Sequence, residues 1–421
     1  MARQFLCLVL LLGCLSAGGQ TTWHVGPTQP HTSLANTLAR AQPGDSIVVH
    51  PGEYCEGNYR ITTPRLVLSG RGYPVLDGQG KVEILSVQAD SVTIEGFVVR
   101  NSAYGSLSDY AGIKLAASRG HTVRNNRLEG TFFGIFLGDV TGAVITGNEV
   151  TGTQLEESKS GNGIHLWKCR GIHLEGNTVR GHRDGIYLEF ATASTLVGNR
   201  SEGNIRYGLH FMFSHDNAYT ENTFRNNGAG VAVMYTRNVR MVRNRFEANR
   251  GTGAYGLLLK DISDSEVTQN IFEDNTSAIY LEGTNRVRVH ENLFRRNGWA
   301  VRLLANCADN SFVHNDFIGN TFDVSTNGNL VLNLLSQNYW DKYRGYDLDR
   351  DRIGDVGYRP VSLYSVVIER MPFALVLMRS LLVGLLDQTE RLIPSLTPTD
   401  LIDERPLLVP FGPLTGQEVG A

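Results

Sequence analysis

Apolar and polar positions alternate along most of the chain in short segments headed by a small residue. The fragment Gly-aliphatic-x-aliphatic and its Ala-headed variants recur about every 22 residues, starting at Gly112, Gly134, Gly163, Gly185, Gly208, Gly230, Gly256, Ala278 and Ala300. Such segments form strands whose alternate side chains point to opposite faces. A unit this short cannot bury its apolar face alone, so copies must stack. The pattern predicts an all-β fold, a right-handed parallel β-helix over residues 61–340.

A second fragment, apolar-x-x-Asn-x-apolar, keeps the same phase as the first. Its asparagines are Asn126, Asn148, Asn177, Asn199, Asn222, Asn244, Asn270, Asn292, Asn315 and Asn338. Asparagine tolerates the left-handed turn conformation, and its amide can bond to the coils above and below. We therefore expect a structural ladder of stacked asparagines.

The sequence before the repeats differs from them. Residues 1–20 carry Arg3, an apolar run from Phe5 to Leu15 and then small residues, which predicts a cleaved secretory signal peptide. A lipoprotein signal acylated at Cys14 is the alternative. Residues 21–60 have apolar residues at helical spacing from Leu34 to Ala41, which predicts an N-terminal cap and first coil.

The sequence after Trp340 also departs from the repeat. Residues 361–421 contain an almost unbroken apolar run, Phe373–Leu386, interrupted by Arg379. Fourteen residues with a central Arg are too few to span a bilayer, but they can form a helix that docks on a partner. We expect a docking tail that can be removed without unfolding the solenoid; folding back on the solenoid end is the alternative. The predicted docking residues are Phe373, Leu377, Leu381 and Leu385.

Composition adds two expectations. The formal net charge of -3 argues against nucleic acid as a partner. After signal cleavage three cysteines remain, Cys55, Cys169 and Cys307, and we expect all three to be small buried hydrophobes.

The segment YGLHFMFSHDN, residues 207–217, contains the most unusual side chains of the repeat region. Because the two aliphatic positions of each strand must face the core, His210 and Met212 project outward on an exposed face. The repeat places Met234 beside Met212, one coil on. Thioether and imidazole are ligands that suit Cu(I), and thioethers do not form disulfides in an oxidising compartment. We predict a copper site of His210, Met212 and Met234.

Two further histidines stand near this predicted copper site. His165 lies two coils before His210 on the same outward column, and His215 follows in the next turn. Met241 belongs to an inward register and should be core. The alternative to copper binding is an apolar contact patch for a partner protein.

Residues 341–360 form an acidic turn region. Its carboxylates Asp347, Asp349, Asp351 and Asp355 have the spacing of positions 1, 3, 5 and 9 of a calcium loop. Position 6 is Arg352 where such loops require Gly, and position 12 is Tyr358 where they require Glu. Calcium is thus a candidate ligand, and a charged turn is the alternative.

Three motifs in order, RYGLHFMFSHDN, YWDKYRGYDLDRDRIGD and RMPFALVLMRSLLVGLLD, together resemble the NosD family of periplasmic maturation factors for nitrous oxide reductase. The resemblance implies an accessory protein, not an enzyme, that supplies copper to the copper-sulfide centre of that reductase; whether sulfur is a second cargo is left open. It also implies inner-membrane partners, an ABC-type permease with its ATPase, and a copper-carrying lipoprotein. Members of the family usually carry Gly where this chain has Arg350 and Arg352, which argues against calcium.

Two other functions remain open at this point. A carbohydrate-active β-helix enzyme needs a carboxylate pair, but Glu189 and Glu282 are predicted four coils apart, roughly 19 Å. The other is a docking platform that binds no metal.

Overall fold

The fold is a parallel β-solenoid of three long sheets. The computed structural model describes residues 20–105, 109–153, 156–157, 160–328, 332–378, 380–392 and 401–412. Along the chain, each coil contributes one strand to each sheet, and each strand pairs in parallel with its equivalent in the next coil. The all-β parallel solenoid predicted from the repeat is confirmed.

Sheet 1 has 14 strands: β1 Thr22–Val25, β2 Ser46–Val49, β5 Val67–Gly70, β8 Thr93–Glu95, β11 Thr122–Arg124, β14 Val144–Thr146, β17 His173–Glu175, β20 Thr195–Val197, β23 Ala218–Thr220, β26 Arg240–Val242, β29 Glu266–Thr268, β32 Arg288–His290, β35 Ser311–Val313 and β38 Leu334–Ser336.

Sheet 2 has 13 strands: β3 Glu53–Tyr54, β6 Val75–Asp77, β9 Val98–Arg100, β12 Arg127–Glu129, β15 Glu149–Thr151, β18 Thr178–Arg180, β21 Arg200–Glu202, β24 Thr223–Arg225, β27 Arg245–Glu247, β30 Ile271–Glu273, β33 Leu293–Arg295, β36 Asp316–Ile318 and β39 Tyr339–Trp340.

Sheet 3 has 12 strands and contains the Gly-headed segments: β4 Tyr59–Ile61, β7 Leu85–Val87, β10 Ala111–Arg119, β13 Phe133–Thr141, β16 Ile164–Trp167, β19 Asp184–Glu189, β22 Tyr207–Met212, β25 Ala229–Met234, β28 Tyr255–Lys260, β31 Ser277–Glu282, β34 Trp299–Leu303 and β37 Phe322–Ser325.

The N-terminal cap forms as predicted. Helix α1, Leu34–Arg40, begins after Ser33, whose hydroxyl accepts a hydrogen bond from the Asn36 amide. Leu34 and Leu38 lie on its buried face and close the first coil of the core. Of the predicted signal segment, residues 1–20, only Gln20 is described, and Cys14 lies outside the described residues.

The predicted asparagine ladder exists, but one reason given for it is wrong. Asn222 shows the pattern: its backbone and side-chain N–H groups both donate to Asn244 Oδ1 at 3.0 Å. The left-handed conformation belongs to the residue just before each asparagine, as at Glu221 and Arg243, with φ of 57° and 51°. The preceding residue makes the turn, and the asparagine amide then points inward and bonds buried backbone groups that have no other partner.

A second ladder runs beside the first. Its members lie five residues after ladder asparagines already named, and they are Asn204, Asn227, Asn249, Asn275, Asn297 and Asn320. Each accepts from the backbone of the coil before, as when Asn204 N–H donates to Asn227 Oδ1 at 3.0 Å. Sequence analysis missed this ladder, although the spacing of five was visible.

The C-terminal region has two parts with different roles. Residues 363–392 form a helical arm of α2, Leu363–Arg370, a 3-10 helix, Pro372–Leu377, and α3, Leu381–Leu392. Sequence analysis did not predict α2, which begins after the N-cap Ser362. Among the described residues, no helix is long and apolar enough to cross a membrane.

Residues 401–412 return to the solenoid and form a terminal cap. Backbone bridges join Asp403 to Leu335 and Leu407 to Tyr339. The fully buried carboxylate of Asp403 accepts from both N–H groups of Asn338 at 3.0 Å, so it ends the first asparagine ladder. A deletion from residue 362 onward would take this cap away, which argues against the expectation of a removable tail; the outcome of that deletion stays a prediction.

The cysteines differ from expectation at one position. Cys169 and Cys307 are buried as predicted, but Cys55 is exposed. Cys55 follows β3 in the first coils, where its side chain lies outside the stacked core.

Candidate metal centre

The register predicted around the YGLHFMFSHDN segment is confirmed. Leu209 and Phe211 are fully buried in the core. In sheet 3, β22 pairs with β25 so that Met212 lies opposite Met234 and His210 lies opposite Ala232. Met241, predicted to be inward, is fully buried on sheet 1.

The outward column that contains His210 is not exposed to solvent, contrary to expectation. His210 is 4% exposed and His165 is 8% exposed. Their rings belong to a stack along sheet 3 in which Tyr187 lies between them, with ring centroids 4.8 Å from His165 and 4.7 Å from His210. The rings of Phe136 and Tyr207 pack at the two ends, so the aromatic side chains of this column bury one another.

The stack separates the two histidines. His165 and His210 lie two strands apart, about 10 Å by strand spacing, so they cannot both ligate one ion. Asn162 Nδ2 lies 3.1 Å from His165 Nδ1. Burial, aided by the nearby Arg183 charge, lowers the pKa of His165 to about 3, so its ring is neutral at physiological pH.

His210 is the buried imidazole nearest the methionine pair along its strand. Neither of its ring nitrogens has a hydrogen-bond partner among the described residues. Asp184 Oδ2 lies 3.6 Å from His210 Nδ1, which is an electrostatic contact but too long for a hydrogen bond. Because an unpaired buried polar group is costly, these nitrogens are available for a ligand.

Asp184, at the start of β19, is the charged group that faces His210. Arg206 holds it through two hydrogen bonds, Nε to Oδ1 at 2.8 Å and Nη2 to Oδ2 at 2.5 Å. Burial alone would raise the pKa of Asp184, but the hydrogen bonds and charge of Arg206 outweigh it and lower that pKa to about 2. The carboxylate is therefore ionised.

Met212 and Met234 are half-buried on the same face as His210. The residue that follows each of them is aromatic, and with Phe190 these residues form an exposed ladder, Phe190–Phe213–Tyr235. The ring centroids are 5.3 Å and 5.1 Å apart. All three adopt left-handed backbone conformations with φ near 50°, which costs non-glycine residues of order 1 kcal/mol each.

Sequence analysis missed this aromatic ladder. Its signal is an aromatic residue directly after the second outward position in three successive coils, as Glu189-Phe190, Met212-Phe213 and Met234-Tyr235. The left-handed conformation itself is common to this turn in neighbouring coils, as at Lys168 and Asp261, so the exposed aromatic stack beside two thioethers is what distinguishes these coils.

His215 lies in the turn after the methionine strand and is half-buried. Its Nδ1 stands 3.2 Å from the hydroxyl of Thr236. The next residue, Asp216, accepts a hydrogen bond from the side chain of Asn238 at 2.8 Å. His215 is thus tied to the neighbouring coil, and a ligand role for it stays a prediction.

The donor set fits a soft monovalent metal. Met212 and Met234 offer thioethers from neighbouring strands, and His210 offers an unpaired imidazole from the same strand as Met212. Thioether and neutral imidazole ligands suit Cu(I), whereas hard divalent ions prefer carboxylate and carbonyl oxygens. The residues present therefore fit copper.

The acidic turn brings together three of its four predicted ligands. Oxygens of Asp347, Asp349 and Asp351 lie within 4.8 Å of one another, and Asp355 is not in that group. Asp355 instead accepts from the Leu348 amide at 2.6 Å. Within the turn, Asp347 already accepts three backbone N–H groups, which competes with ion binding.

Two arginines of this turn occupy left-handed positions. Arg350 and Arg352 have φ of 63° and 69°. Glycine adopts this conformation without strain, which accounts for a preference for glycine at both positions. Calcium binding at the turn stays a prediction.

The helical arm exposes the predicted docking residues. Phe373 is 92% exposed and Leu381 is 89% exposed, with Leu377 and Leu385 also exposed. The opposite side of the arm packs on the solenoid, where Val383 is buried against the cluster of Phe322 and its neighbours. Folding back on the solenoid thus describes the packed face of the arm, and docking through the exposed face stays a prediction.

A carboxylate pair for sugar chemistry does not form on sheet 3. The register places Glu189, Met212, Met234, Lys260 and Glu282 on successive strands, so the two glutamates are four strands apart. Glu282 pairs with Lys260 at 3.1 Å. The nearest acid and base, Asp184 and His210, are both buried away from any polysaccharide.

Residues 145–347 match the family model described as periplasmic copper-binding protein (NosD). This range holds the whole candidate metal centre. The chain is 29% identical to the probable ABC transporter binding protein NosD of Pseudomonas aeruginosa, covering 91% of this chain and 95% of that protein. It is also 29% identical to the protein of the same name from Stutzerimonas stutzeri, covering 85% of each.

Solved structures with the same fold have other activities. The A-module of the mannuronan C-5 epimerase AlgE4 from Azotobacter vinelandii aligns with a TM-score of 0.53 at 16% identity, covering 72% of this chain and 88% of that one. The catalytic domain of a GH87 α-1,3-glucanase aligns with a TM-score of 0.61 at 10% identity, covering 76% and 69%. Identities this low show a shared β-helix fold alone. The family resemblance of the sequence motifs is confirmed by the family model over residues 145–347 and by the two relatives.

Proposed function

We propose that this chain is a periplasmic accessory protein that binds Cu(I) and passes it on for assembly of the copper-sulfide centre of nitrous oxide reductase. The observation that carries the proposal is the register of β22 and β25, which sets the Met212 and Met234 thioethers side by side. His210 adds a buried imidazole without a hydrogen-bond partner. The copper-binding description of the family model supports the same conclusion.

The partners follow from the helical arm and from the relatives. Both relatives are called ABC transporter binding proteins, which supports association with an inner-membrane permease and its ATPase. The exposed apolar face of the arm is the surface for that contact. Phe373 and Leu381 are almost fully exposed to water, so they do not stabilise the fold, and exposed apolar surface of this kind is typical of a protein contact. A copper-carrying lipoprotein is the proposed donor and nitrous oxide reductase the proposed recipient.

A competition titration against a Cu(I) chelator tests the copper role. The double variant Met212→Leu/Met234→Leu removes both sulfur ligands and conserves side-chain volume, so it should lose copper binding and keep its stability within about 1.5 kcal/mol. His210→Gln should weaken binding less, because two thioethers remain. Met241→Leu, a methionine change in the core, is the matched control and should bind like wild type.

Equal copper affinity in wild type, the double variant and the control would remove Met212 and Met234 as ligands. The same patch would then serve as a docking platform without metal. In cells, the double variant should leave nitrous oxide reductase exported and folded but without its copper-sulfide centre.

The docking role of the arm has its own test. Phe373→Ser/Leu381→Ser changes two almost fully exposed side chains, so the fold should be unaffected while co-purification with the permease is lost. Leu348→Ser is the matched control, since Leu348 is 79% exposed on the acidic turn. Retained co-purification in the arm variant, or its loss in the control, would contradict docking through the arm.

Polysaccharide chemistry is the weaker candidate. An epimerase or hydrolase must bring an acid and a base against a sugar in an open groove. Here Asp184 is fully buried and bonded to Arg206, and the half-buried carboxylates Glu189 and Glu282 of sheet 3 stand four strands apart. We therefore expect no activity on uronan or glucan polymers.

A further inference from the structure

We infer that Asp184 is a positioning residue of the candidate metal centre: clamped by Arg206, it fixes His210 in the tautomer that carries its proton on Nδ1 and leaves Nε2 as the nitrogen that binds Cu(I). The inference rests on the copper role proposed above. Asp184 lies one coil before His210 and is not among the residues that sequence analysis selected.

Arg206 holds the Asp184 carboxylate in one place and orientation. Asp184 is fully buried, and Arg206 bonds to both of its oxygens at 2.8 Å and 2.5 Å. A two-point contact with a planar guanidinium fixes the plane of the carboxylate as well as its place. Arg206 is itself held from its other sides by Glu157 at 3.7 Å and by the ring of Tyr207, 5.0 Å away.

The clamped carboxylate then selects the tautomer. A carboxylate bonded through both oxygens to a guanidinium can only accept hydrogen bonds, and a neutral imidazole has one donor nitrogen and one acceptor nitrogen. Asp184 Oδ2 stands 3.6 Å from His210 Nδ1. A lone pair on Nδ1 would face a negative charge in a site that excludes water, so Nδ1 carries the proton.

The choice of tautomer leaves Nε2 with its lone pair. Nε2 is buried and has no hydrogen-bond partner among the residues that the structure describes. A histidine that donates one nitrogen to a carboxylate and offers the other to a metal is the common arrangement at metal sites, and the carboxylate orients the ring and raises its basicity. At 3.6 Å the contact is longer than a hydrogen bond, so Asp184 acts on His210 here through its charge.

The other histidine of the same column supports this assignment by contrast. His165 occupies the equivalent position two strands earlier, but its Nδ1 meets the neutral side-chain amide of Asn162 at 3.1 Å. Both rings belong to the same stack, and both Nε2 atoms are buried without a hydrogen-bond partner among the described residues. The two imidazoles differ at Nδ1, which faces the carboxylate clamped by Arg206 in His210 and a neutral amide in His165.

The tautomer can be measured without copper. In ¹⁵N-labelled apo-protein, long-range ¹H–¹⁵N correlation distinguishes Nδ1–H from Nε2–H for each histidine. Wild-type His210 should be protonated on Nδ1. In Asp184→Asn the amide can donate to Nδ1, so His210 should shift to Nε2–H, and the Cu(I) affinity should fall about 10- to 100-fold.

Two further variants keep the test decisive. Asp184→Asn leaves Arg206 without its charged partner, so Asp184→Glu is measured as well; it restores the carboxylate and should recover Nδ1–H and part of the affinity. Asp216→Asn is the matched control, because Asp216 is exposed in the turn beyond the site and bonds Asn238. It should leave both the tautomer and the affinity unchanged.

The outcomes separate this inference from the proposed function. Nε2–H at His210 in wild-type apo-protein, or an unchanged tautomer and affinity in Asp184→Asn, overturns the positioning role. Wild-type protein with Nδ1–H but without Cu(I) binding overturns the proposed function, and with it the ligand role of Nε2.

Discussion

The terminal cap predicts that one carboxylate far from the candidate metal centre holds the last coil in place. Asp403 accepts four hydrogen bonds from the solenoid: Gln337 N at 3.1 Å, Asn338 N and Nδ2 at 3.0 Å, and Trp340 Nε1 at 3.1 Å. Asp403→Ala leaves these four donors without their acceptor. Each buried donor costs about 1–3 kcal/mol if it stays dry, and water will reach some of them, so we expect a loss of about 3–5 kcal/mol.

Asp403→Asn is the matched control. An asparagine at this position extends the ladder. Its Oδ1 can accept hydrogen bonds from the backbone and side-chain N–H groups of Asn338, just as Asn338 Oδ1 accepts from the same two groups of Asn315. The charge and the bonds made by the other oxygen are lost, so we expect a cost of about 1 kcal/mol. The difference between Ala and Asn isolates the ladder contacts from the charge.

Hydrogen exchange measured peptide by peptide is the suitable assay. In a solenoid each coil contacts only its neighbours, so damage at one end frays the adjacent coils first and global unfolding is not two-state. Protection should fall in β35, β36, β38 and β39 and stay unchanged in β20 and β22. Equal protection in all three proteins, or equal losses in the Ala and Asn variants, would refute the role given to Asp403.

Three other measurements follow from the structure. Burial raises the pKa of Asp323 to about 6 in the folded protein, from 3.8 in the unfolded chain. The folded protein therefore binds this proton more tightly, and the resulting stabilisation is complete below pH 3.8 and is lost as the pH rises to about 6. Relative to Asp323→Asn, the wild-type free energy of unfolding should therefore fall by up to ~3 kcal/mol between pH 4 and pH 7; a pH-independent difference contradicts this. A thiol reagent should modify Cys55 alone in native protein and all three cysteines after denaturation, and modification of Cys169 without unfolding would conflict with its burial. Circular dichroism should be β-rich, and more than about a third helix would exclude this fold.

The fold was predictable because the repeat encodes it twice. Alternation within each strand decides which side chains are core, and the interval between Gly-headed segments decides which strands are neighbours. The register of Met212 opposite Met234 follows from these two rules and was obtained without knowledge of the structure.

The burial of the site was not predictable in the same way. Alternation tells which face a side chain projects from, but whether that face meets water depends on its neighbours along the column. His210 projects outward as expected and is still buried, because Tyr187 and Tyr207 pack against its ring. Asp184 was missed for a related reason: its partner Arg206 lies 22 residues away, and only the stacking of coils brings them together.

Sequence analysis did not separate the C-terminal region into a helical arm and a terminal cap, because the repeat ends before this region. Asp403 has the role of a ladder asparagine, but no Gly-headed segment marks its coil, and the helical arm separates it from Asn338. Helix α2 was missed because its apolar residues are mixed with Ser365 and Glu369 and read as an irregular segment.

The helical arm and the candidate metal centre belong to one face of the solenoid. Arg302, in the same outward column as His210, bonds to both oxygens of Glu369 in α2 at 2.9 Å, and Ser325 bonds to Glu369 at 3.0 Å. Three strand spacings separate the register position of Arg302 from that of Ala232 beside His210, about 15 Å. If the arm docks a partner as proposed, that partner would therefore lie on the same sheet as the thioether pair, and a path for copper between them would need no change in the core.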